Sequence, residues 1–409
     1  MRLKNTPLHA NKQWRLSLPA AWLVWSIVIA AILTRGVLWP HRNNCFPTHY
    51  RPAGLNWLAG IDLYQVTADT CRYSPLIHAL LVPFSIAPDL LGSALWRVTE
   101  IACFVAALAW WLRAVCPAKL NATERAWILV LAIPLAIGSL NNAQSNVFVI
   151  ASLLAGIAAV GEGRWNLAAA AIAFASLFKI YPAALGLLLT ALYPRKFGAR
   201  FFIAVAIGMA LPFALQHPDY VAHQYARWFA NIAADDRSQW DLSEAYRDVW
   251  LLIRLAHLPF GRAIYETIQI AAGCGIAIIC LAMRSGGKQS RDFLNQVLGL
   301  SVCWMTLFGP ATESSTYILL SPTLAWLLVV SWSGELPHWT RVPLTLSAVL
   351  FVGTVIAVAT PYGRKLLALG TQPVAGLLIL LVLVASGLPS AVSWRQKRAV
   401  VAAVSSVHG

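Results

Sequence analysis

The sequence predicts an all-α, polytopic helical membrane protein, and three observations predict it. Of its 409 residues, 59% are hydrophobic and only 11% are charged, giving a mean hydropathy of +0.65, too apolar for a soluble fold. Apolar runs of about 15 to 24 residues recur, long enough to cross a hydrocarbon core of roughly 30 Å as tilted helices, where a β-barrel shows shorter alternating segments. The basic residues fall in alternate loops. The net charge of +15 therefore does not mark a nucleic-acid binder. It comes from Arg2, Lys4, Lys12 and Arg15, then Arg113, Lys119 and Arg125, then Arg195, Lys196 and Arg200, then Arg284, Lys288 and Arg291, and finally Arg395, Lys397 and Arg398, the pattern of cytoplasmic loops.

With that rule the chain reads as a basic cytoplasmic N-terminus (1–19), a transmembrane domain (20–390) and a cytoplasmic tail (391–409). About twelve spans are expected, within a range of 11 to 14, near 20–39, 89–112, 126–140, 146–160, 165–179, 181–193, 200–216, 263–283, 293–309, 315–332, 342–359 and 372–390. The first apolar run, Ala20 to Thr34, is followed by Arg35 and Trp39 rather than a small-residue cleavage site, so it reads as a span and not a signal peptide. Leu76 to Pro88 and Val249 to Phe260 are apolar but short, and read as interfacial or re-entrant elements. At Lys179 to Pro182 a lysine and a proline interrupt one hydrophobic run, a break of the kind found where backbone lines a cavity.

The opposite set of loops holds the acids: Asp62, Asp69, Asp219, Asp235, Asp236, Asp241, Glu244, Asp248 and Glu313. Two of these extracytoplasmic loops are long, the first (about 40–88) and a central one (Gln216 to Arg262). In the central loop Val221, Tyr225, Trp228, Phe229 and Ile232 share one helical face, with Asp219, His223, Arg227 and Asn231 elsewhere, so an amphipathic interfacial helix is expected. It packs over the bundle or flanks a groove for a lipid-linked substrate. Seven cysteines and nine histidines show no metal-ligand spacing, so no metal site and no cofactor are expected. Cys45 and Cys71 share the first outer loop, where a disulfide is permitted. Arg97 and Glu100, three apart on an apolar helix, predict an intrahelical ion pair facing the bundle.

Three motifs stand in register. The first loop reads Trp57-Leu58-Ala59-Gly60-Ile61-Asp62-Leu63-Tyr64 and then Arg72-Tyr73-Ser74-Pro75-Leu76; Asn142-Ala143-Gln144-Ser145-Asn146 and Lys179-Ile180-Tyr181-Pro182 follow. In order and spacing they resemble glycosyltransferase family 87, of the GT-C superfamily, with its Asn-Gly-Gln-x-Asn turn and Lys-x-Tyr-Pro. That resemblance covers roughly residues 20 to 335. It implies a GT-C-type enzyme that takes a sugar, typically mannose, from a polyprenyl-phosphate carrier and passes it to a lipid or glycan acceptor on the extracytoplasmic side of the cell membrane. Better-known members carry Asp-Phe and a nearby aromatic at the head of the first loop, and that acid is taken as the base. This chain has Cys45-Phe46 and Tyr50. Either another residue is the base, or the activity is lost or altered.

Such a transfer must orient an acceptor hydroxyl, remove its proton and stabilise the departing phosphate. Asp62, Glu313 and His49 are the base candidates; Asp62 has the alternative of bracing its loop. Lys179 suits a phosphate, with snorkelling as the plain alternative, and Arg72 is the second choice, ahead of the Arg364-Lys365 pair. Tyr64 and Tyr181 belong to the motifs and are expected at the substrate, while Asn142, Gln144 and Asn146 either bind sugar hydroxyls or satisfy local backbone. A transporter or lipid flippase is the rival class, but the halves show no matched repeat, since the Asn-x-Gln-x-Asn and Lys-x-Tyr-Pro motifs have no counterpart after residue 260. A non-catalytic descendant of the enzyme is the other. No Asp-x-Asp or soluble nucleotide-sugar domain is present in the sequence.

Overall fold

The computed structural model describes residues 16–64, 72–116, 120–234, 236, 238–285, 291–358, 360 and 363–387. Most of these residues are helical. In chain order the helices are α1 (Leu18–Leu38), α2 (Arg51–Ala59), α3 (Pro75–Ser85), α4 (Asp89–Ala114), α5 (Ala122–Leu131), α6 (Ile133–Asn141), α7 (Asn146–Gly161), α8 (Trp165–Phe178), α9 (Ala183–Leu192), α10 (Ala199–Ala210), α11 (Pro218–Ala234), α12 (Val249–Leu255), α13 (Arg262–Ser285), α14 (Arg291–Leu307), α15 (Ser321–Trp332), α16 (Arg341–Val358) and α17 (Gly363–Ala368), followed by α18 (Thr371–Gly387). A bilayer core offers the backbone no hydrogen-bond partner, so an apolar run must satisfy its N–H and C=O groups within itself, as a helix does. The protein is an all-α polytopic membrane protein. Each of the twelve expected spans is mainly helical where it is described. Among the described residues, six helical segments are long and apolar enough to cross a membrane, and a seventh if α5 and α6 count as one.

Burial explains the difference between long and short. The long windows in α1, α13 and the 194–214 and 338–358 segments are only 17–28% buried, whereas that of 314–332 is 89% buried. The first four leave most of their surface uncovered by protein, while α15 is enclosed by it. Most residues of α7 from Val147 to Val160 are also buried, between α4 and α8, and Gly156 lets α8 approach so closely that a Cβ there would lie 2.4 Å from the Ile172 side chain. With 16 residues, α7 is about 24 Å long. The long apolar helices thus form an outer wall around shorter, tightly packed ones.

Prolines make the breaks. Pro134 lacks an N–H just where α5 gives way to α6, and the two helices meet at 41°. After Phe178 the backbone of Lys179 is extended (φ −142°, ψ 145°), and α9 begins only after Pro182, so the predicted interruption is there. The short stretches expected to be interfacial form α3, of 11 residues, and α12, of 7. Basic loops meet at the far end: the Arg291 Nη1 donates to the Cys116 carbonyl at 3.4 Å, Arg284 lies 4.1 Å from the Tyr193 ring centre and Lys196 lies 5.6 Å from that of Trp165.

One expectation is corrected here. Arg97 and Glu100 are both buried and face the bundle, but they do not form a direct ion pair. The Arg97 guanidinium instead donates to the Leu140 and Asn141 carbonyls, at 3.3 and 2.5 Å. The end of α6 leaves the Asn141 carbonyl without a helical donor and gives that of Leu140 a long bond from the Ala143 N–H, 3.4 Å, so both are open to the guanidinium. Arg35 reaches the Asn141 side chain from α1, so three helices are joined at this point.

Candidate active site

A cavity of about 450 Å³ lies where the two long loops meet the bundle, within the ~300–1,000 Å³ usual for small-molecule sites. Seven of the residues expected at a substrate line it: His49, Arg72, Gln144, Asn146, Lys179, Tyr181 and Glu313. Cys45 lines it too. The pairing of Cys45 with Cys71 falls outside the described residues.

The floor is built on the Asn142–Asn146 turn. Asn142 is not on the cavity wall; it ends α6, and its carbonyl accepts from the Cys45 N–H at 2.9 Å. Ala143 has φ +53°, a left-handed conformation that costs a residue with a Cβ about 1–2 kcal/mol. The related motif has glycine there, which accounts for that preference. We therefore expect Ala143→Gly to raise stability in detergent by about 1 kcal/mol, read as a higher denaturation midpoint; a lower midpoint would contradict it. The turn is held from above by hydroxyls. The Ser145 N–H donates to the Tyr50 hydroxyl at 3.0 Å, the Ser145 hydroxyl to that of Tyr73 at 2.5 Å, and Tyr50 and Tyr73 are 3.3 Å apart. Trp96 of α4 packs beneath, its ring centre 5.1 Å from Tyr50 and 4.9 Å from Phe148.

Asn146 starts α7 and connects two walls: its Nδ2 donates to the Ser315 hydroxyl at 3.0 Å and its Oδ1 accepts from Tyr181 at 3.3 Å. Tyr181 in turn lies beneath the Lys179 ammonium, 5.8 Å from ring centre to Nζ. Glu313 stands at the start of the 314–320 turn: its N–H donates to the Thr316 hydroxyl at 3.1 Å and its main-chain carbonyl accepts from the Thr316 N–H at 2.9 Å. The Arg72 guanidinium donates to the Tyr246 hydroxyl at 3.2 Å. Next to His49, the Thr48 hydroxyl is 2.6 Å from the imidazole Nδ1.

Asp62 and Tyr64 are placed elsewhere. The Asp62 carboxylate accepts from its neighbour's Tyr64 N–H at 3.1 Å and from the Arg227 Nε at 3.2 Å, and it does not reach the cavity wall. Its bracing alternative is the geometry found. Tyr64 is buried, its hydroxyl donating to the Tyr73 carbonyl at 2.5 Å and its ring edge-on to His78. The Tyr64 side chain ties the first loop to Tyr73 and α3, while Asp62 fastens it to α11, the amphipathic helix expected from the sequence. Val221, Tyr225 and Trp228 are buried on it, although Phe229 is exposed. Its polar residues hold the loop by the main chain: Gln224 accepts from the Leu63 N–H at 2.9 Å, Tyr220 donates to the Ile61 carbonyl at 2.8 Å and Trp228 to that of Arg72 at 3.1 Å. The Asp62–Arg227 pair is partly exposed, and such pairs contribute only about 0–1 kcal/mol. The main-chain bonds and the apolar face dominate. Trp228 and Ile232 of α11 also line the cavity.

The remaining wall comes from residues that sequence reasoning did not select. Asp248, Trp250, Tyr265 and Gln269 line the cavity, and so do Asp236, Arg262 and Glu266. Arg262 is about half exposed and bonds Asp236 at 2.6 Å and Glu266 at 2.8 Å. The signal available for Asp248 was an acid directly before the Val-Trp-Leu-Leu run, which marks a helix N-cap; its Oδ1 does accept from the Leu251 N–H, at 3.3 Å.

The acids of this cavity differ in character. The Ser238 N–H and hydroxyl, with Arg262, hold Asp236 below its ordinary range, while burial pushes Asp248 up to about 6. Environments that separate two acids in this way are those that divide chemical roles. Cys45 is pushed up to about 11, chiefly by burial and then by the charge of Glu100. At neutral pH it is a protonated thiol, so it does not stand in for the absent acid as a base.

No curated protein matches the chain. The family model of glycosyltransferase family 87 matches residues 72–310, more than half of the chain and a span containing Arg72, the Asn142–Asn146 turn, Lys179, Tyr181 and Asp248. The protein belongs to glycosyltransferase family 87.

Proposed function

We propose that this membrane glycosyltransferase takes a hexose, mannose in the favoured case, from a polyprenyl-phosphate carrier and passes it to a hydroxyl of a lipid or glycan acceptor on the extracytoplasmic face of the plasma membrane, with both termini cytoplasmic. The observation that carries this reading is the composition of one cavity: Lys179 and Arg72, amide side chains from Gln144 and Asn146, and the carboxylates of Glu313 and Asp248 line it together, beside the broken helix pair α8 and α9. A sugar phosphodiester needs each of these. The cations take the phosphate, and its charge grows as the bond to the anomeric carbon breaks. The amides match sugar hydroxyls, and a carboxylate takes the acceptor proton. The polyprenyl chain stays in the lipid against the exposed apolar helices.

The test uses the full-length enzyme in sealed, right-side-out vesicles given radiolabelled mannosyl or glucosyl polyprenyl phosphate. The expected result is a labelled glycosidic product accessible from outside. Movement of intact donor across the bilayer without a new bond would favour the flippase, and neither event would favour a non-catalytic descendant.

A further inference from the structure

Asp248 differs from the other carboxylates on the cavity wall. Among the described residues, Asp236, Glu266 and Glu313 all leave a substantial part of the side chain in water, whereas Asp248 is 4% exposed. It is also rigidly placed. The Leu251 N–H fixes one carboxylate oxygen. The preceding Arg247 is anchored on both sides: its N–H donates to the Thr312 carbonyl at 2.7 Å, its carbonyl accepts from Tyr317 at 2.7 Å, and its guanidinium turns away from the cavity to the Leu242 and Ser243 carbonyls. A buried acid costs several kcal/mol when ionised, yet here it faces a cavity lined by Arg72, Lys179 and Arg262. Stability alone would favour an asparagine, which caps a helix equally well.

We propose that Asp248 takes the proton from the acceptor hydroxyl, filling the role left vacant by Cys45 at the head of the first loop. The inference rests on the transfer reading above. The acceptor oxygen forms its bond to the anomeric carbon as the bond from that carbon to the donor phosphate oxygen breaks. The electron pair leaves with the polyprenyl phosphate, and the hydroxyl proton passes to the Asp248 carboxylate, which releases it to water after the product departs. Its ordinary range is raised to about 6 by burial, which makes it a stronger base than an exposed aspartate while leaving it ionised at neutral pH. The groups facing it are Tyr265 of α13, whose hydroxyl favours the ionised form, and Tyr317 of the 314–320 turn. Arg72, Lys179, His49, Asp236, Arg262, Glu266 and Glu313 are the other charged or titratable groups around the same cavity.

The sign of the pH dependence follows. Below about pH 6 Asp248 is protonated and cannot accept, so the rate falls on the acid side. The experiment measures transfer from labelled donor by full-length wild type, Asp248→Asn, Asp248→Glu and Tyr265→Phe, with binding of a non-transferable phosphonate donor analogue on the same preparations. We expect Asp248→Asn to bind the analogue within about threefold of wild type and to lose about 10²- to 10⁴-fold in kcat, together with the acid limb, and Asp248→Glu to restore part of the rate. Tyr265→Phe should move the acid limb to higher pH, because the hydroxyl that favours the carboxylate is gone. Near-normal turnover by Asp248→Asn, or an unmoved limb in Tyr265→Phe, overturns the assignment. If Asp248→Asn fails to bind the analogue, the Tyr265→Phe profile alone decides. Wild type that transfers no sugar removes the transfer reading and this inference together, whereas active wild type beside active Asp248→Asn removes only the inference.

Discussion

Lys179→Ala should raise the KM for a polyprenyl-phosphate sugar about 10- to 100-fold, the equivalent of one charge-assisted contact of about 1.5–3 kcal/mol, and lower kcat by a smaller factor. The ammonium lies at the break between α8 and α9, beside the Tyr181 ring, where on the proposed reading it meets the donor phosphate. The charge already present in the bound donor sets the loss of binding, and the charge that grows as the bond breaks sets the loss of rate. Lys179→Arg should recover part of the affinity, since charge is kept while the compact point donor becomes a planar fork. Equilibrium binding of the donor analogue separates the cases: unchanged affinity in Lys179→Ala would mean that the lysine only snorkels to the interface.

The second large effect is structural. Arg97→Met should destabilise the protein by about 1–3 kcal/mol, because it removes the guanidinium donor from the Leu140 and Asn141 carbonyls and takes a positive charge from beside the buried Glu100. A denaturant titration in detergent would show it as a lower midpoint. Adding Glu100→Gln to that variant should recover a substantial share by removing the unbalanced carboxylate. A single variant as stable as wild type would show that lipid or water satisfies these carbonyls. The effect should also reach the cavity, since Asn141 and Asn142 lead directly into the turn carrying Gln144 and Asn146.

The sequence made visible what depends on local pattern. Hydropathy located helical stretches within each expected span, Pro182 and Lys179 announced the break after Phe178, and the spacing of Val221, Tyr225 and Trp228 announced α11. The three motifs pointed to residues that the fold brings to one cavity from three separate regions, where His49 and Glu313 join them. What could not be read depends on partners far along the chain. Asp62 meets Arg227 across 165 positions, which draws it away from the cavity, and the Arg97 pairing was misjudged because spacing on one helix says nothing of carbonyls arriving from another. Asp248 was unremarkable among nine outer acids; only burial by α13 and the 314–320 turn sets it apart.

The way α11 grips the first loop has an evolutionary consequence. Its Gln224, Tyr220 and Trp228 side chains bond to main-chain groups of residues 61, 63 and 72, so the loop's path is specified by its clamp more than by its own side chains. Drift at exposed positions such as Leu58 and Ile61 then leaves the loop's path intact, while changes at Tyr220, Gln224 or Trp228 are expected to be purged.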